Sequence, residues 1–163
     1  MTDFGALLKA LSSADVQFIV VGGLAGTVHG AARQTFDIDV VYERSDQNLT
    51  RLVAALAPHQ PYLRDAPPGL PFKLDQATLK AGFNFTLTTE LGEIDLLGFI
   101  TGGGEYDELV EHSISVQAFG VEIVCLDLET LIRVKRAAGR PKDFEAIAEL
   151  ESLLEGTEED ESN

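Results

Sequence analysis

The segment "FIVVGGLAGTVHGAARQTFDIDVV", residues 18–41, is the most informative part of this chain. An apolar, β-branched run ends at Gly22 and Gly23, and a second apolar run further on carries Asp37 and Asp39 at alternate positions. This pattern predicts a buried strand, a helix that opens at the glycine pair, and a second strand. Because strand side chains alternate between faces, Asp37 and Asp39 project to the same side, about 7 Å apart.

Two like charges on one face of a strand have two explanations. The strand is an edge strand with one wet face, or the pair is a site for a divalent cation such as Mg²⁺, which prefers hard oxygen ligands. The stretch "GEIDLLG" favours the second explanation, because Glu93 and Asp95 alternate with apolar residues in the same way. Asp95 would then complete a site of three carboxylates that holds two metal ions, an arrangement suited to phosphoryl chemistry.

The rest of the chain predicts an α+β fold. The order is helix, strand, helix, strand, helix, a proline-rich loop over 58–72, two hairpins and two helices. This order indicates a mixed β-sheet with helices packed on one side, followed by C-terminal helices. We expect one domain over residues 1–154 and an acidic disordered tail over 155–163. The core is expected to include four phenylalanines: Phe72, Phe83, Phe85 and Phe99.

The composition limits the partners of the protein. The net charge of −15, from 27 acidic and 12 basic residues, argues against broad binding of nucleic acid. One dense basic cluster stands out, and it either complements a helix dipole or contacts a triphosphate or RNA. Its members are Arg133, Lys135, Arg136, Arg140 and Lys142. No apolar run reaches the length of a membrane span, and no signal peptide is recognisable, so we expect a cytoplasmic protein with no membrane partner.

The glycine pair and the Asp-x-Asp strand together resemble the motif of the DNA polymerase beta nucleotidyltransferase superfamily. In that motif a strand, Gly-Gly or Gly-Ser, and a helix precede an Asp-x-Asp strand, and a third acidic residue follows later. The stretch "RQTFDID", residues 33–39, resembles small bacterial members akin to abortive-infection type IV toxins. The C-terminal "DLETLIRVKRAAGRPKDFEAI" is similar to the basic helix and Lys-Asp pair of that branch. The resemblance covers roughly residues 15–150.

The resemblance implies a role for each matching residue. Asp37, Asp39 and Asp95 would be the catalytic residues and would ligate Mg²⁺ or Mn²⁺, with two ions expected when a nucleoside triphosphate is bound. Asp95 would also help to deprotonate the acceptor hydroxyl. Nucleotide binding is implied for seven further residues, among which Asp143 would hold Lys135 or Lys142 in place. These seven are Gly22, Gly23, Arg33, Thr35, Lys135, Lys142 and Asp143.

The reaction implied by the resemblance is transfer of a nucleoside monophosphate from a nucleoside triphosphate to a hydroxyl, with release of pyrophosphate. Acceptors of three classes fit this reaction: tRNA, a partner protein or a small molecule. A toxin of this kind would have a cognate antitoxin as a partner, or would serve in phage defence. The alternative is a catalytically inactive protein of the same fold that binds a nucleotide or a partner.

Overall fold

The computed structural model of the protein describes residues 1–162 and contains one mixed seven-stranded sheet. The strands lie in the order β3-β4-β5-β2-β1-β7-β6. Neighbouring strands are antiparallel except for the pairs β2–β5 and β1–β7, which are parallel. The strands are β1 Phe18–Val21, β2 Asp37–Tyr42, β3 Tyr62–Leu63, β4 Asn84–Thr89, β5 Gly92–Leu97, β6 Ser113–Ala118 and β7 Val121–Leu126. The α+β class predicted from the sequence is confirmed.

Seven α-helices accompany the sheet within the described residues. They are α1 Phe4–Ser13, α2 Gly22–Val28, α3 Asp46–Leu56, α4 Gln76–Ala81, α5 Tyr106–Leu109, α6 Leu128–Ala138 and α7 Asp143–Ser162. The predicted caps are present: the side chains of Ser45 and Asp127 accept hydrogen bonds from the first turns of α3 and α6. Gly139 ends α6 with φ of 65°, a left-handed conformation that favours glycine. None of these helices, up to residue 162, combines the length and apolarity needed to cross a membrane.

Strands β2 and β5 lie next to each other inside the sheet, and each has a neighbouring strand on both sides. Helix α2 packs on β1 and β2 and contacts α6, which in turn packs on α7. On the sheet, Ile38, Val40, Ile94 and Leu96 are fully buried, and each alternates with a residue that is only half-buried. Since side chains alternate across a strand, the half-buried face of β2 and β5 is the one that carries the acidic residues.

Asn48 fixes the start of β1 against the end of β2. Its side chain is 2% exposed. Its Oδ1 accepts a hydrogen bond from Gln17 N (2.7 Å), and its Nδ2 donates to Gln17 O (3.0 Å) and Glu43 O (2.7 Å). One buried amide therefore joins three backbone groups, and one of them, Gln17 O, also accepts from Glu43 N at 3.2 Å.

The structure corrects three sequence-based expectations. The proline-rich segment contains a short edge strand, β3, which pairs with β4 and ends next to Arg64. Residues 155–162 continue α7 where disorder was predicted, because glutamate favours helix and Ile147 and Leu150 anchor the preceding turns in the core. Asn163 lies outside the described residues.

The third correction concerns two of the four phenylalanines expected in the core. Phe83 is 51% exposed and Phe99 is 48% exposed, whereas Phe72 and Phe85 are partly buried against the core. Phe83 precedes β4 and Phe99 follows β5, so both lie beyond the strand residues whose side chains enter the core. Their apolar character alone gave the wrong prediction.

Replacing Asn48 by alanine is expected to lower the free energy of unfolding by about 2–3 kcal/mol, because three hydrogen bonds are lost and the backbone groups Gln17 N and Glu43 O lose their partner. The change is measured by urea denaturation. Gln47→Ala, on the exposed side of the same helix, is the control and should stay within about 0.5 kcal/mol of the wild type. Equal stability of the two variants would contradict the role given to Asn48.

Candidate active site

Three carboxylates from two central strands meet at one point. The register of the parallel pair β2–β5 places Asp39 directly beside Asp95, and Asp37 beside Glu93. Each of Asp37, Asp39 and Asp95 offers one oxygen, and these oxygens lie within 4.8 Å of one another. Strand β2 is flanked by β1 and β5 and is not an edge strand, so a wet edge does not explain its acids. The third acid is Asp95, as predicted.

Burial and like charge act together on Asp39. Burial is the largest cause that raises the pKa of this carboxyl to about 7, and the neighbouring carboxylates of Asp37 and Asp95 raise it further, while Lys135 opposes the shift. Burial and the two neighbouring carboxylates both disfavour the ionised form of Asp39, and a bound cation would favour it. Three hard oxygen donors at this spacing fit Mg²⁺ or Mn²⁺.

The glycine pair makes room for two side chains of the site. Gly22 has φ of +66°, and a Cβ there would lie 2.0 Å from Asp39 Oδ2. A Cβ on Gly23 would lie 2.8 Å from Thr35 Oγ1. The Thr35 hydroxyl therefore occupies the space that a serine at position 23 would use, and it bonds to Asp37 O at 3.2 Å. The absence of a side chain at Gly22 leaves room for Asp39, and its absence at Gly23 leaves room for Thr35.

A cavity of about 390 Å³ opens beside the carboxylates. It is lined by every residue that the sequence assigned to the site. These are Gly22, Gly23, Arg33, Thr35, Asp37, Asp39, Asp95, Lys135, Lys142 and Asp143. Residues from β1–α2, β2, β5, α6 and α7 thus converge on one space, although they are spread over more than a hundred positions of the chain. Their individual roles stay predictions.

Acids of the last helix pair with two of the four basic residues of the cavity, Arg33 and Arg140, and with Arg136, which does not line it. Arg33 forms an ion pair with Glu145, and Arg136 forms one with Glu151. Asp143 is 5% exposed and holds Arg140, with Nε at 2.7 Å from Oδ2, where Lys135 or Lys142 was expected as its partner. Arg140 is the partner of Asp143 because its planar guanidinium reaches both oxygens of that carboxylate.

Lys135 differs from the other basic residues of the cavity. Burial is the main cause that lowers its pKa, with Arg140 and Lys142 adding to the shift and Asp143 and Asp39 opposing it. Its ammonium group is therefore poorly hydrated in the free protein. A phosphate group near Lys135 would supply a negative charge that favours its protonated ammonium form.

Arg64 is the site residue that sequence analysis missed. Its guanidinium lies 3.0 Å from Asp95 Oδ1, 3.5 Å from Glu93 Oε2 and 3.7 Å from Asp37 Oδ2, and it donates to Leu87 O at 2.8 Å. It reaches the acids because β3 pairs with β4, which pairs with β5. The only signal in the sequence was "YLR" between prolines, a stretch too short to predict a strand.

Comparison with known proteins supports the fold. No family model matches the chain, and no curated protein matches it. Among solved structures, it is similar to a candidate nucleotidyltransferase from Thermotoga maritima, with a TM-score of 0.54 over 87% of this chain and 86% of that chain. The sequences are 16% identical, so the likeness shows the nucleotidyltransferase-like fold alone. The fold implied by the sequence motif is confirmed, and the abortive-infection type IV branch stays a prediction.

Replacing Asp39 by asparagine is expected to stabilise the metal-free protein above neutral pH. The folded pKa of about 7 exceeds the ordinary value of 3.8, so the folded state binds the extra proton and wild-type stability falls as pH rises from about 4 to about 7. Asparagine mimics the protonated form. In EDTA, Asp39→Asn should be about 2–4 kcal/mol more stable than the wild type at pH 8, with little difference near pH 4.

Asp107→Asn, an exposed change on α5, is the control for this pH series and should follow the wild type. A stability gain for Asp39→Asn that is the same at pH 4 and pH 8 would contradict the raised pKa.

Replacing Arg64 by glutamine is expected to lower the stability of the metal-free protein by about 2–3 kcal/mol, because partly buried carboxylates lose their counter-charge. Thermal unfolding in EDTA measures the change. Arg44→Gln is the matched control, since Arg44 contacts Tyr42 Oη and the Phe83 ring and none of the three clustered acids. If both variants lose the same stability, the ion pairs of Arg64 have no special part in holding the cluster.

Proposed function

We propose that this protein is a nucleotidyltransferase of the EC 2.7.7 type, which moves a nucleoside monophosphate from a nucleoside triphosphate to a hydroxyl and depends on a divalent cation. The observation that carries the proposal is the meeting of Asp37, Asp39 and Asp95 beside a cavity walled by the glycine pair. Three carboxylates that repel one another, next to basic side chains, provide opposite charges for a metal ion and a triphosphate. A structural domain without a site has no need of this arrangement.

In this proposal the triphosphate lies in the cavity near Gly22 and Gly23. Thr35 Oγ1 and the cationic groups of Arg33, Lys135 and Lys142 would contact its oxygens, and Asp143 would keep Arg140 in place. Charge neutralisation and positioning of this kind account for most of the catalysis in phosphoryl transfer.

The carboxylates of Asp37, Asp39 and Asp95 would hold Mg²⁺ or Mn²⁺. When bound, the cations supply positive charge that stabilises the phosphoryl oxygens and favours ionisation of the acceptor hydroxyl. Asp95 would accept the proton of that hydroxyl. Its Oδ1 already contacts Arg64 at 3.0 Å, which leaves the other oxygen for this task.

The acceptor and the biological setting belong to the proposal as well. The resemblance to abortive-infection toxins favours a bacterial toxin with a cognate antitoxin, or a phage-defence protein. Among the acceptor classes, a protein or a small molecule is favoured over tRNA. The reason is that Arg33, Arg136 and Arg140 are already paired with acids, on a chain whose net charge is −15.

The direct test is incubation of the purified protein with each labelled nucleoside triphosphate, Mg²⁺ or Mn²⁺, and tRNA, protein lysate or a panel of small hydroxyl compounds. We expect label on one acceptor class, and a loss of about a hundredfold or more in Asp39→Ala. Asp107→Ala is the control for an aspartate removed elsewhere, and circular dichroism checks the fold of both variants. Unchanged transfer by Asp39→Ala would refute the proposal. Nucleotide binding without transfer to any class would favour the inactive, nucleotide-binding alternative.

A further inference from the structure

A second cavity borders Asp39 but neither Asp37 nor Asp95. It has a volume of about 260 Å³ and shares Gly22, Asp39, Lys135 and Arg140 with the first cavity. The rest of its wall comes from the ends of β4 and β5, the segment after β5, and α6. This remaining wall contributes no residue to the proposed metal or triphosphate contacts.

The parallel pairing of β2 and β5 fixes where the two cavities lie. Thr35 and Asp37 of the first cavity precede Asp39 along the chain, whereas Leu97 of the second cavity follows Asp95. Because Asp39 and Asp95 are direct neighbours on strands that run the same way, the two cavities flank this pair along the strand direction.

This placement has a chemical consequence. In phosphoryl transfer the attacking and leaving oxygens are roughly in line with the phosphorus between them. If the departing pyrophosphate lies in the first cavity, by the glycine pair, the attacking hydroxyl approaches from the second. We infer that the second cavity binds the acceptor, and that the acceptor is a small uncharged group with an apolar ring and a hydroxyl. This inference rests on the proposed function.

The lining of the second cavity identifies the acceptor class. Most of its wall is apolar side chain, contributed by Val21, Leu97, Phe99, Ile100, Leu131 and Val134. Phe99 is 48% exposed, so its ring is available for stacking. Asn84 is the amide in the wall, and its Oδ1 accepts from Gly98 N at 3.0 Å, which leaves Nδ2 to donate to a polar group of the ligand.

The charges around this cavity disfavour a phosphate-rich acceptor. Lys135 and Arg140 are its cationic residues, and both also line the first cavity, where Lys135 would contact the triphosphate. Arg140 is moreover held by Asp143. Among the described residues 1–162, no further cation lines this wall to neutralise the backbone of a nucleic acid.

The step is balanced by the two substrates alone. The acceptor oxygen forms a bond to the α-phosphorus of the nucleoside triphosphate, and the bond from that phosphorus to the α–β bridging oxygen breaks. The bridging oxygen keeps the electron pair and leaves as part of pyrophosphate. The hydroxyl proton passes to the carboxylate of Asp95, the direct neighbour of Asp39 in the second cavity wall, and from there to solvent.

The test compares acceptor probes and one cavity variant. The wild-type protein is given a labelled nucleoside triphosphate, Mn²⁺ and one of four acceptors: 2-phenylethanol, N-acetyl-tyrosinamide, ribose 5-phosphate or total tRNA. We expect label on one or both aromatic probes. Preference for N-acetyl-tyrosinamide would indicate a protein tyrosine as acceptor, and preference for 2-phenylethanol a free alcohol.

Phe99→Ala should raise the KM for the aromatic probe about tenfold and leave the KM for the nucleotide unchanged. Phe144→Ala, which removes another exposed phenylalanine outside the cavity, is the matched control and should change neither.

Two outcomes would overturn the inference while the proposed function stands. One is transfer to tRNA or ribose 5-phosphate with none to the aromatic probes. The other is a raised nucleotide KM in Phe99→Ala with an unchanged acceptor KM, which would make the cavity a site for the nucleobase. Absence of both metal and nucleotide binding by the wild type would instead refute the proposed function.

Discussion

Asp39 and Asp95 lie side by side on parallel strands, and their carboxylates repel each other. The charged residues and glycines around them are arranged to accommodate this repulsion. Placing a third acid, Asp37, within the same few ångströms increases that repulsion. The protein offsets part of it with Arg64, which reaches across β4 and β5, and part with Lys135 from α6. What is left uncompensated is a strongly negative point beside an open cavity, which is a suitable place for a divalent cation.

The glycine pair and Thr35 belong to the same arrangement. Gly22 leaves space for the carboxylate of Asp39, and Gly23 leaves space for the hydroxyl of Thr35. The motif therefore has two functions. It admits the acidic cluster at the end of β1, and it keeps the wall of the cavity free of side chains where a phosphate would approach. A side chain at Gly22 would displace the carboxylate of Asp39, and one at Gly23 would displace the hydroxyl of Thr35.

The last helix modifies the electrostatics of the site. Acidic side chains of α7 pair with Arg33, Arg136 and Arg140, and the last two belong to the basic cluster identified in the sequence. Lys135 and Lys142 are left as the cations of the first cavity without a close acidic partner among the described ion pairs. A cavity with few free cations, on a chain with a net charge of −15, suits one triphosphate better than a long polyanion.

The sequence by itself determined the α+β class, most of the helices and strands, and the three acids. Local patterns carry this information: Asp37 and Asp39 alternate with buried residues on one strand, and Gly22 and Gly23 end another. Only the tertiary structure decided which charges meet. Arg64 reaches Asp95 through a two-residue strand that no periodicity reveals, and Asp143 holds Arg140 because the chain turns between α6 and α7. These contacts depend on strand order and helix packing, which bring together residues that are remote in sequence or separated by a turn, and so no local pattern specifies them.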